Sequence, residues 1–423
     1  MPRKMKESGV EWLGQIPEGW GLGRIGALYS LRNEKVSDKD FPPLSVTMKG
    51  IVPQLETAAK TDDGDNRKLV RKGDFAINSR SDRRGSCGIS AYDGSVSLIN
   101  TILTPRGAMS PAYYNWLFHT TSFADEFYKW GHGIVDDLWT TRWDDMKRIA
   151  IPTPPYSEQE RIAAFLDERC AKIDGMIAEA KTSIEDYKKW KQSIIFEAVT
   201  GKHEKNLKPS GVDWIGDVPE GWKVVPLRYL GECANGISKG GEFFGSGCPF
   251  VSYSDVYKND WLPDRVNGLV QSTAEERERY SVEKGDVFFT RTSETIDELG
   301  MASACLTTIK DAVFAGFLIR FRPLKKALSV EFSKYYFKHP GLRVYFTKEA
   351  MLVTRASLSQ ELLKNMPVLI PPLPDQRRIA AELDEKCAAI DKLVGEKEAL
   401  ITDLEAYKKS LIFETVTGKR EVA

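Results

Sequence analysis

The sequence is poor in histidine, with four in 423 residues, and its six cysteines stand singly with no Cys-x-x-Cys pair. Structural zinc sites and disulfide frameworks place such ligands at short, regular spacing, so neither organises this chain. No metal-ligating residue is assigned, and a reducing cytoplasm is the expected setting. Long apolar runs are also missing. The longest uncharged one, Ala312 to Ile319, is far short of the ~20 residues that span a bilayer. No apolar stretch follows the basic residues Arg3, Lys4 and Lys6, so the opening does not read as a secretory signal. Net charge is missing too, with 60 basic and 60 acidic side chains. Residues 1–156 hold 21 basic and 19 acidic groups, and residues 209–371 hold 20 of each. Composition alone therefore gives no support for a nucleic-acid partner, and a basic surface would have to come from local arrangement. There is no Gly-x-x-x-x-Gly-Lys-Ser/Thr phosphate loop, and no histidine–cysteine or paired-carboxylate constellation with a chemical task. No catalytic residue is assigned.

What is present is repetition. Pro154-Pro155-Tyr156-Ser157-Glu158-Gln159-Glu160-Arg161-Ile162-Ala163-Ala164 returns as Pro371-Pro372-Leu373-Pro374-Asp375-Gln376-Arg377-Arg378-Ile379-Ala380-Ala381. The match runs on without a gap to Ile195-Phe196-Glu197 and Ile412-Phe413-Glu414, at a constant offset of 217 residues (Pro154 to Pro371). A second pair brackets it, Gly9-Val10-Glu11-Trp12-Leu13-Gly14-Gln15-Ile16-Pro17-Glu18-Gly19-Trp20 against Gly211-Val212-Asp213-Trp214-Ile215-Gly216-Asp217-Val218-Pro219-Glu220-Gly221-Trp222. With 42% apolar residues the chain can bury several cores, and two to four domains fit its length. A duplicated frame around two unlike middles implies one scaffold carrying two different heads.

From Ser157 to about Val199 the apolar positions Leu166, Cys170, Ile173, Ile177, Ala180, Ile184, Tyr187, Ile194 and Ala198 advance by alternating fours and threes, interrupted at Lys191. That 3.5-residue period is a coiled-coil seam. The second copy repeats it with Leu383, Cys387, Ile390, Val394, Ile401, Leu404 and Leu411, interrupted at Lys397 and Lys408. Ser157 and Asp375 are the expected N-caps, and Gly201 and Gly418 the expected C-terminal caps. Each helix would be a rod of roughly 65 Å at about 1.5 Å per residue, and its natural partner is its twin, in an intramolecular antiparallel pair. Cys170 and Cys387 read as small core residues. Lys191 and Lys408 hold the same seam position. The plainer reading puts their ammonium groups out in water at the seam's edge; the alternative is that they fix register.

The middles, Gly21 to Arg148 and Lys223 to Met366, show short apolar runs broken by Gly, Asn and Asp, which reads as mixed α/β with much strand. Within them Val70-Arg71-Lys72-Gly73-Asp74-Phe75-Ala76-Ile77-Asn78-Ser79-Arg80 parallels Val282-Glu283-Lys284-Gly285-Asp286-Val287-Phe288-Phe289-Thr290-Arg291-Thr292, a turn followed by a strand with a polar, partly basic tail. An aromatic stripe, Tyr113, Trp116, Leu117 and Phe118, matches Phe332, Tyr335, Tyr336 and Phe337 and is expected in the core. Two motifs mislead. Gly21-Leu22-Gly23-Arg24-Ile25-Gly26 has the letters of a dinucleotide loop but follows no buried strand, and its twin lacks the glycines. Thr153-Pro154-Pro155-Tyr156 resembles an amino-methyltransferase motif but starts with the wrong residue and has no cofactor loop to serve.

The Trp-Leu-Gly-x-Ile-Pro-x-x-Trp opening, the Lys-Gly-Asp turn in each head and the Pro-Pro-x-x-x-Gln-x-x-Ile-Ala start of each long helix together resemble the DNA-specificity subunit (HsdS, S subunit) of type I restriction-modification systems, nearly end to end. Asp375 replaces the usual Glu there and keeps the carboxylate. The resemblance implies an α+β fold in which two mixed α/β target-recognition domains, 1–153 and 206–370, are separated by long helices, 154–205 and 371–423, related by a pseudo-twofold repeat. It implies a double-stranded DNA site in two unlike halves, one read by each head. The helices would measure the spacer and dock two methyltransferase subunits, with motor-nuclease subunits joining that core. It further implies no cofactor in this chain, with S-adenosylmethionine in the methyltransferase partner and ATP and Mg in the motor-nuclease partner, and a cytoplasmic, membrane-free setting. DNA repeats its major-groove face about every 34 Å, a span that the rod accommodates.

Arg and Lys pair with guanine and Asn with adenine, while Ser and Thr are versatile and the same types hold phosphates. On that chemistry the candidate DNA contacts of the first head are Lys49, Asn78, Ser79, Arg80, Arg83, Arg84, Thr141 and Arg142. Those of the second are Ser238, Lys239, Thr290, Arg291, Thr292, Thr354 and Arg355. An ordinary solvated surface role is the plainer reading for each. Two competing functions stay open, a coiled-coil adaptor whose heads bind proteins and the specificity partner of a fused type II restriction-methylation enzyme.

Overall fold

The structure, a computed structural model of the chain, describes residues 3–54, 64–133, 139–293, 298–324, 327–349 and 356–422. The elements that position the candidate residues are, in chain order, β1 (Tyr29–Arg32), β2 (Phe75–Asn78), β3 (Cys87–Ile89), β4 (Asn100–Pro105), α1 (Pro111–Phe118), α2 (Tyr156–Thr200), β5 (Gly231–Asn235), β6 (Val287–Thr290), β7 (Ala302–Ala304), β8 (Leu318–Pro323), α3 (Val330–Tyr336) and α4 (Leu373–Val416). The two long helices are those that the heptad seam predicts. They start earlier than expected: Tyr156 and Leu373 are already helical, so Ser157 and Asp375 lie inside the first turn and are not N-caps. The chain packs as two compact units, Met1–Lys181 with Glu398–Ala423, and Thr182–Lys397.

In the first unit an antiparallel sheet runs in the order β3-β2-β4-β1. Gly73 takes a positive φ of 90° in the turn before β2, a conformation that costs glycine little. Asp74 is buried and accepts from the Arg71 N–H (2.8 Å), the Thr104 hydroxyl (3.0 Å) and the Arg32 guanidinium (2.6 Å). Behind the sheet lies α1, whose Tyr113, Leu117 and Phe118 are buried as the stripe predicts. The first turns of α2 join the same core through Leu166, Cys170, Ile173 and Ile177, as do Leu411 and Val416 of α4. Here the helices run antiparallel. Trp20 donates to Glu158 at the start of α2 (2.9 Å) and packs under Gly418 beyond the end of α4, while further along α2 Asp174 meets Lys408 at 2.6 Å. Gly418 has a φ of 75°, and a Cβ there would lie 2.5 Å from Pro17 Cδ, which suits only glycine. Lys419 donates to the Leu13 carbonyl (2.8 Å).

The second unit is built the same way. Its sheet has the matching order β7-β6-β8-β5. Asp286 accepts from the Glu283 N–H (2.8 Å) and pairs with Arg322 (2.7 Å), an arginine from β8 where the first unit uses one from β1. Gly201 sits under Pro219 and Trp222 as Gly418 does under Pro17 and Trp20, and Lys202 donates to the Ile215 carbonyl (2.8 Å). Lys191 of α2 reaches Asp391 of α4 at 2.7 Å and is only 20% exposed. Lys191 and Asp391 are the repeat images of Lys408 and Asp174, so Lys191 and Lys408 cross the seam to pair rather than merely reaching water.

Each head is clamped to its long helix by the motif that opens that helix. Gln159 and Gln376 are buried. Gln159 accepts from the Ser110 N–H (2.8 Å) and donates to the Pro154 carbonyl (2.8 Å). Gln376 accepts from the Ser329 N–H (2.7 Å) and donates to the Pro371 carbonyl (2.9 Å). About two turns further along each helix the pattern recurs: the Trp116 indole donates to Asp167 (2.8 Å) and the Tyr335 hydroxyl to Asp384 (2.6 Å). The glycines of the dinucleotide look-alike have another job. Gly21–Arg24 is a strand paired with Ala150–Thr153, and a Cβ at Gly21 or Gly23 would press within 2.8 Å of the Thr153 side chain.

Candidate nucleic-acid interface

In the first head the residues after β2 form one surface with two segments distant in sequence. Arg80 bridges to Thr140, the Ser81 N–H donates to the Trp139 carbonyl (3.0 Å), and the Thr141 N–H donates to the Ser79 carbonyl (3.0 Å). The exposed side chains of Arg80, Arg83, Arg84 and Arg142 are thereby gathered on one loop cluster. Lys49 is exposed at the tip of the hairpin joining Leu44–Thr47 to Gly50–Pro53. That hairpin lies against β3, and a Cβ at Gly88 would sit 2.8 Å from Gly50 Cα. Arg84 is the most engaged of the cations, stacked over the Tyr128 ring at 5.3 Å and paired with Asp125 at 3.2 Å. Burial pushes the Tyr128 phenol well above its ordinary range, so it stays a hydrogen-bond donor, to the Asn78 and Arg83 carbonyls. Ser81, Asp82, Arg84, Asp125, Tyr128, Lys129 and Trp139 line an open depression of about 630 Å³ beside this cluster.

Three first-head candidates do not reach this surface. Asn78, Ser79 and Thr141 are buried. Asn78 accepts from the Arg80 N–H (3.0 Å), the Ser79 and Thr101 hydroxyls hydrogen-bond to each other (2.8 Å), and Thr141 donates to the Phe127 carbonyl (2.9 Å). A buried polar group spends its hydrogen bonds on the protein, so their work is to shape the loop that carries the arginines.

In the second head the tail of β6 likewise gathers distant segments. The Arg291 N–H donates to the Phe317 carbonyl (3.0 Å), the Arg291 carbonyl accepts from the Leu358 N–H (2.7 Å), and the Gly316 N–H donates to the Ile237 carbonyl (2.8 Å), which brings Ser238 alongside. Arg291 and Ser238 are exposed and Thr292 is half-buried, its carbonyl accepting from Tyr253 (2.9 Å). Lys239 is held by Glu276 at 2.7 Å and lies over the Phe243 ring at 5.2 Å. Hydrogen bonding to Lys239 lowers the Glu276 carboxyl from its ordinary value. Thr290 is buried, its hydroxyl accepting from the Met301 N–H (2.8 Å), and belongs with the loop-shaping group. Thr354 and Arg355 lie outside the described residues.

The heads share backbone but not chemistry. The Ser79 N–H bonds to the Ile99 carbonyl as the Arg291 N–H bonds to that of Phe317. Arg291 therefore stands in the slot of buried Ser79, and Arg80 in that of Thr292. Sequence reasoning passed over the aromatics beside these cations, Trp139, Phe243 and Phe317, because single loop aromatics carry no periodic signal. Among the described residues no group of histidine, cysteine, aspartate or glutamate is placed to hold a metal ion, and no helix is long and apolar enough to cross a membrane.

Residues 219–402 match the family model "Type I restriction modification DNA specificity domain". The type I restriction enzyme EcoKI specificity subunit of Escherichia coli K12 is 24% identical over 64% of this chain and 58% of its own length. The StySPI specificity subunit of Salmonella potsdam is 20% identical over 96% of this chain and 90% of its own. The chain thus spans only about 58% of the length of the first of these curated relatives. A solved chain from a type I R-M system, described for complex assembly and conformational transition, superposes with a TM-score of 0.74 at 16% identity, covering 96% of this chain and 99% of that one. The HsdS subunit from Thermoanaerobacter tengcongensis does so at 0.54 and 18% identity, covering 96% and 98%. The specificity-domain model thus matches much of the second half of the chain, and the chain shares the fold of the HsdS subunit along nearly its whole length.

Proposed function

We propose that the chain is the sequence-specific DNA-binding subunit of a type I restriction-modification complex and has no catalytic site of its own. One head, residues 1–153, reads one half of a bipartite double-stranded site, and the other, residues 206–370, reads the other half. The helical segments 154–205 and 371–423 set the distance between the halves and seat two methyltransferase subunits, to which motor-nuclease subunits add. S-adenosylmethionine, ATP and Mg chemistry falls to those partners, and the complex works in the cytoplasm. The observation that carries this reading is the matched pair of strand tails. Two sheets of identical order end at the same backbone slots in different, cation-bearing loops, as two readers of unlike sequences should. The exposed side chains of Lys49, Arg80, Arg83, Arg84, Arg142, Ser238 and Arg291, with the half-buried Lys239 and Thr292, are the proposed contacts to bases or phosphates. Asn78, Ser79, Thr141 and Thr290 hold the loops in shape.

Random-site selection by gel shift, with the chain co-purified with its methyltransferase, tests the reading. Enrichment of one bipartite, asymmetric motif is expected. No enrichment, with tight capture of proteins instead, would make the chain an adaptor.

A further inference from the structure

Phe317 is 63% exposed, yet the turn that carries it is fixed on every side. The Leu318 N–H closes the turn onto the Ala315 carbonyl (3.0 Å), the Gly316 N–H is held by Ile237 (2.8 Å), and the Phe317 carbonyl accepts from Arg291 (3.0 Å). Its neighbours Ala315 and Leu318 are buried. A Cβ at Gly316 would overlap the Ser238 hydroxyl, so glycine there lets the Ser238 segment close against the turn. The phenyl ring is therefore presented to solvent on a rigid tip, in a turn bonded to the Arg291 backbone and packed at Gly316 against Ser238, both of which are exposed. An exposed ring gains nothing for folding in that position, since apolar surface stabilises only when it leaves water.

The first head repeats the device. There the Asn100 N–H closes the same turn onto the Ser97 carbonyl (3.1 Å), and the Ile99 carbonyl accepts from the Ser79 N–H (3.2 Å). Leu98 is exposed and Ile99 half-buried at its tip. Both heads thus carry an exposed apolar side chain in one turn beside the strand tail that bears the candidate DNA contacts, but in the first head it is Leu98, in the slot of Gly316, while Ile99 in the slot of Phe317 is half-buried. Apolar side chains of these types are the ones that enter duplex DNA between neighbouring base pairs, unstacking and kinking it. Specificity can then come from how readily a given step opens, without a hydrogen bond to its bases.

We propose that Phe317 is a wedge that inserts between two base pairs of the half-site read by the second head, selecting an easily unstacked step and bending the duplex there. This rests on the DNA-binding reading above. Arg291, bonded through its backbone to the Phe317 carbonyl, and Ser238, packed against the neighbouring Gly316, are exposed polar groups beside the same turn that would meet phosphates near the opened step, which favours DNA over an apolar protein surface as the occupant.

The experiment uses the chain co-purified with its methyltransferase and a duplex of the selected site, with 2-aminopurine placed in turn at each position of the second half-site. The wild-type complex should raise the fluorescence at one step. Phe317→Ala should abolish that rise and weaken binding about ten- to hundredfold, with the salt slope unchanged because no phosphate contact is lost. Phe317→Leu should keep most of both. Unchanged fluorescence and affinity in Phe317→Ala would overturn the wedge and leave the DNA reading standing. Poorer recovery of the methyltransferase with Phe317→Ala, without DNA present, would overturn it by assigning the ring to a protein contact. A wild-type complex that selects no site would sink the DNA reading, and the wedge with it.

Discussion

Removing the buried amide of Gln376 should loosen the second head from its helix. The side chain accepts from the Ser329 N–H at 2.7 Å and donates to the Pro371 carbonyl at 2.9 Å and the Ala327 carbonyl at 3.3 Å. Ser329 is the N-cap of α3, and its own hydroxyl accepts from the Phe332 N–H (3.2 Å). The lost bond therefore lies where a helix of the head's core begins. Each such bond is worth about 1 kcal/mol net, but a buried donor or acceptor left without a partner costs about 1–3 kcal/mol. Gln376→Ala strands the Ser329 N–H and the Pro371 carbonyl together and leaves a small void, so a loss of about 3–5 kcal/mol is expected. Urea unfolding followed by tryptophan fluorescence gives the global figure, and hydrogen exchange at the Ser329 amide gives the local one. Gln159→Ala should expose the Ser110 amide in the same way, since that N–H lies 2.8 Å from the Gln159 carbonyl oxygen. A loss under about 1 kcal/mol, with Ser329 exchange unchanged, would refute the clamp and leave the shared Gln without a structural task.

Three further outcomes follow from the geometry. His339 is buried with neither ring nitrogen hydrogen-bonded among the described residues, and burial, helped by Arg343, pushes its pKa down from 6.5 to about 3. The unfolded chain then takes the proton first as pH falls, so the stability present above pH 6.5 is lost progressively between 6.5 and 3, about 2 kcal/mol of it by pH 5. His339→Leu should flatten that slope in urea midpoints taken at pH 7 and pH 5; equal slopes in both proteins would count against it. Lys191 and Asp391 should show a coupling of about 0.5–1 kcal/mol in a double-mutant cycle, because the aspartate is 57% exposed. The coupling should shrink in 1 M salt, and an additive cycle would mean that the lysine gains nothing by crossing the seam. Arg80→Ala with Arg83→Ala should weaken specific DNA binding by about 1–3 kcal/mol if either reads a base, and flatten the salt dependence if they hold phosphates. Wild-type affinity and salt slope together would remove that loop from the interface.

The parts of the fold legible in the sequence are those with a period or a copy. The seam from Leu166 to Ala198 announced α2 because burial every 3.5 residues leaves a mark, and its copy announced α4. The Lys-Gly-Asp turn was visible because its geometry needs glycine at Gly73 and Gly285, whose φ values are 90° and 99°. The helix starts were misplaced at Ser157 and Asp375 because those types so often cap, whereas here the binding of Gln159 and Gln376 fixes the chain just ahead. The burial of Asn78, Ser79, Thr141 and Thr290 was illegible for a plainer reason. A polar side chain in a loop looks the same in sequence whether it faces solvent or the neighbouring segment, and the partners of Ser79, Thr141 and Thr290 lie more than ten residues away. The pairing of Asp74 with Arg32, but of Asp286 with Arg322, likewise depends on strands that only the sheet brings together.

The clamps and the strand tails obey different rules, which bears on how new specificities could arise. Gln159 and Gln376 make matching bonds in both halves, and Asp167 and Asp384 each take a donor from the head's aromatic stripe, an indole in one and a phenol in the other, so the two helices offer their heads a common seat. The tails are not interchangeable residue by residue. Placing an arginine at Ser79 to imitate Arg291 would drive a long cation into the buried space that Ser79 shares with Thr101. On the proposed reading, a lineage exploring new target sequences therefore gains little from point changes in the tails. It gains most from exchanging an entire head, cut at the two flanking anchors, much as a tool bit is changed at its chuck.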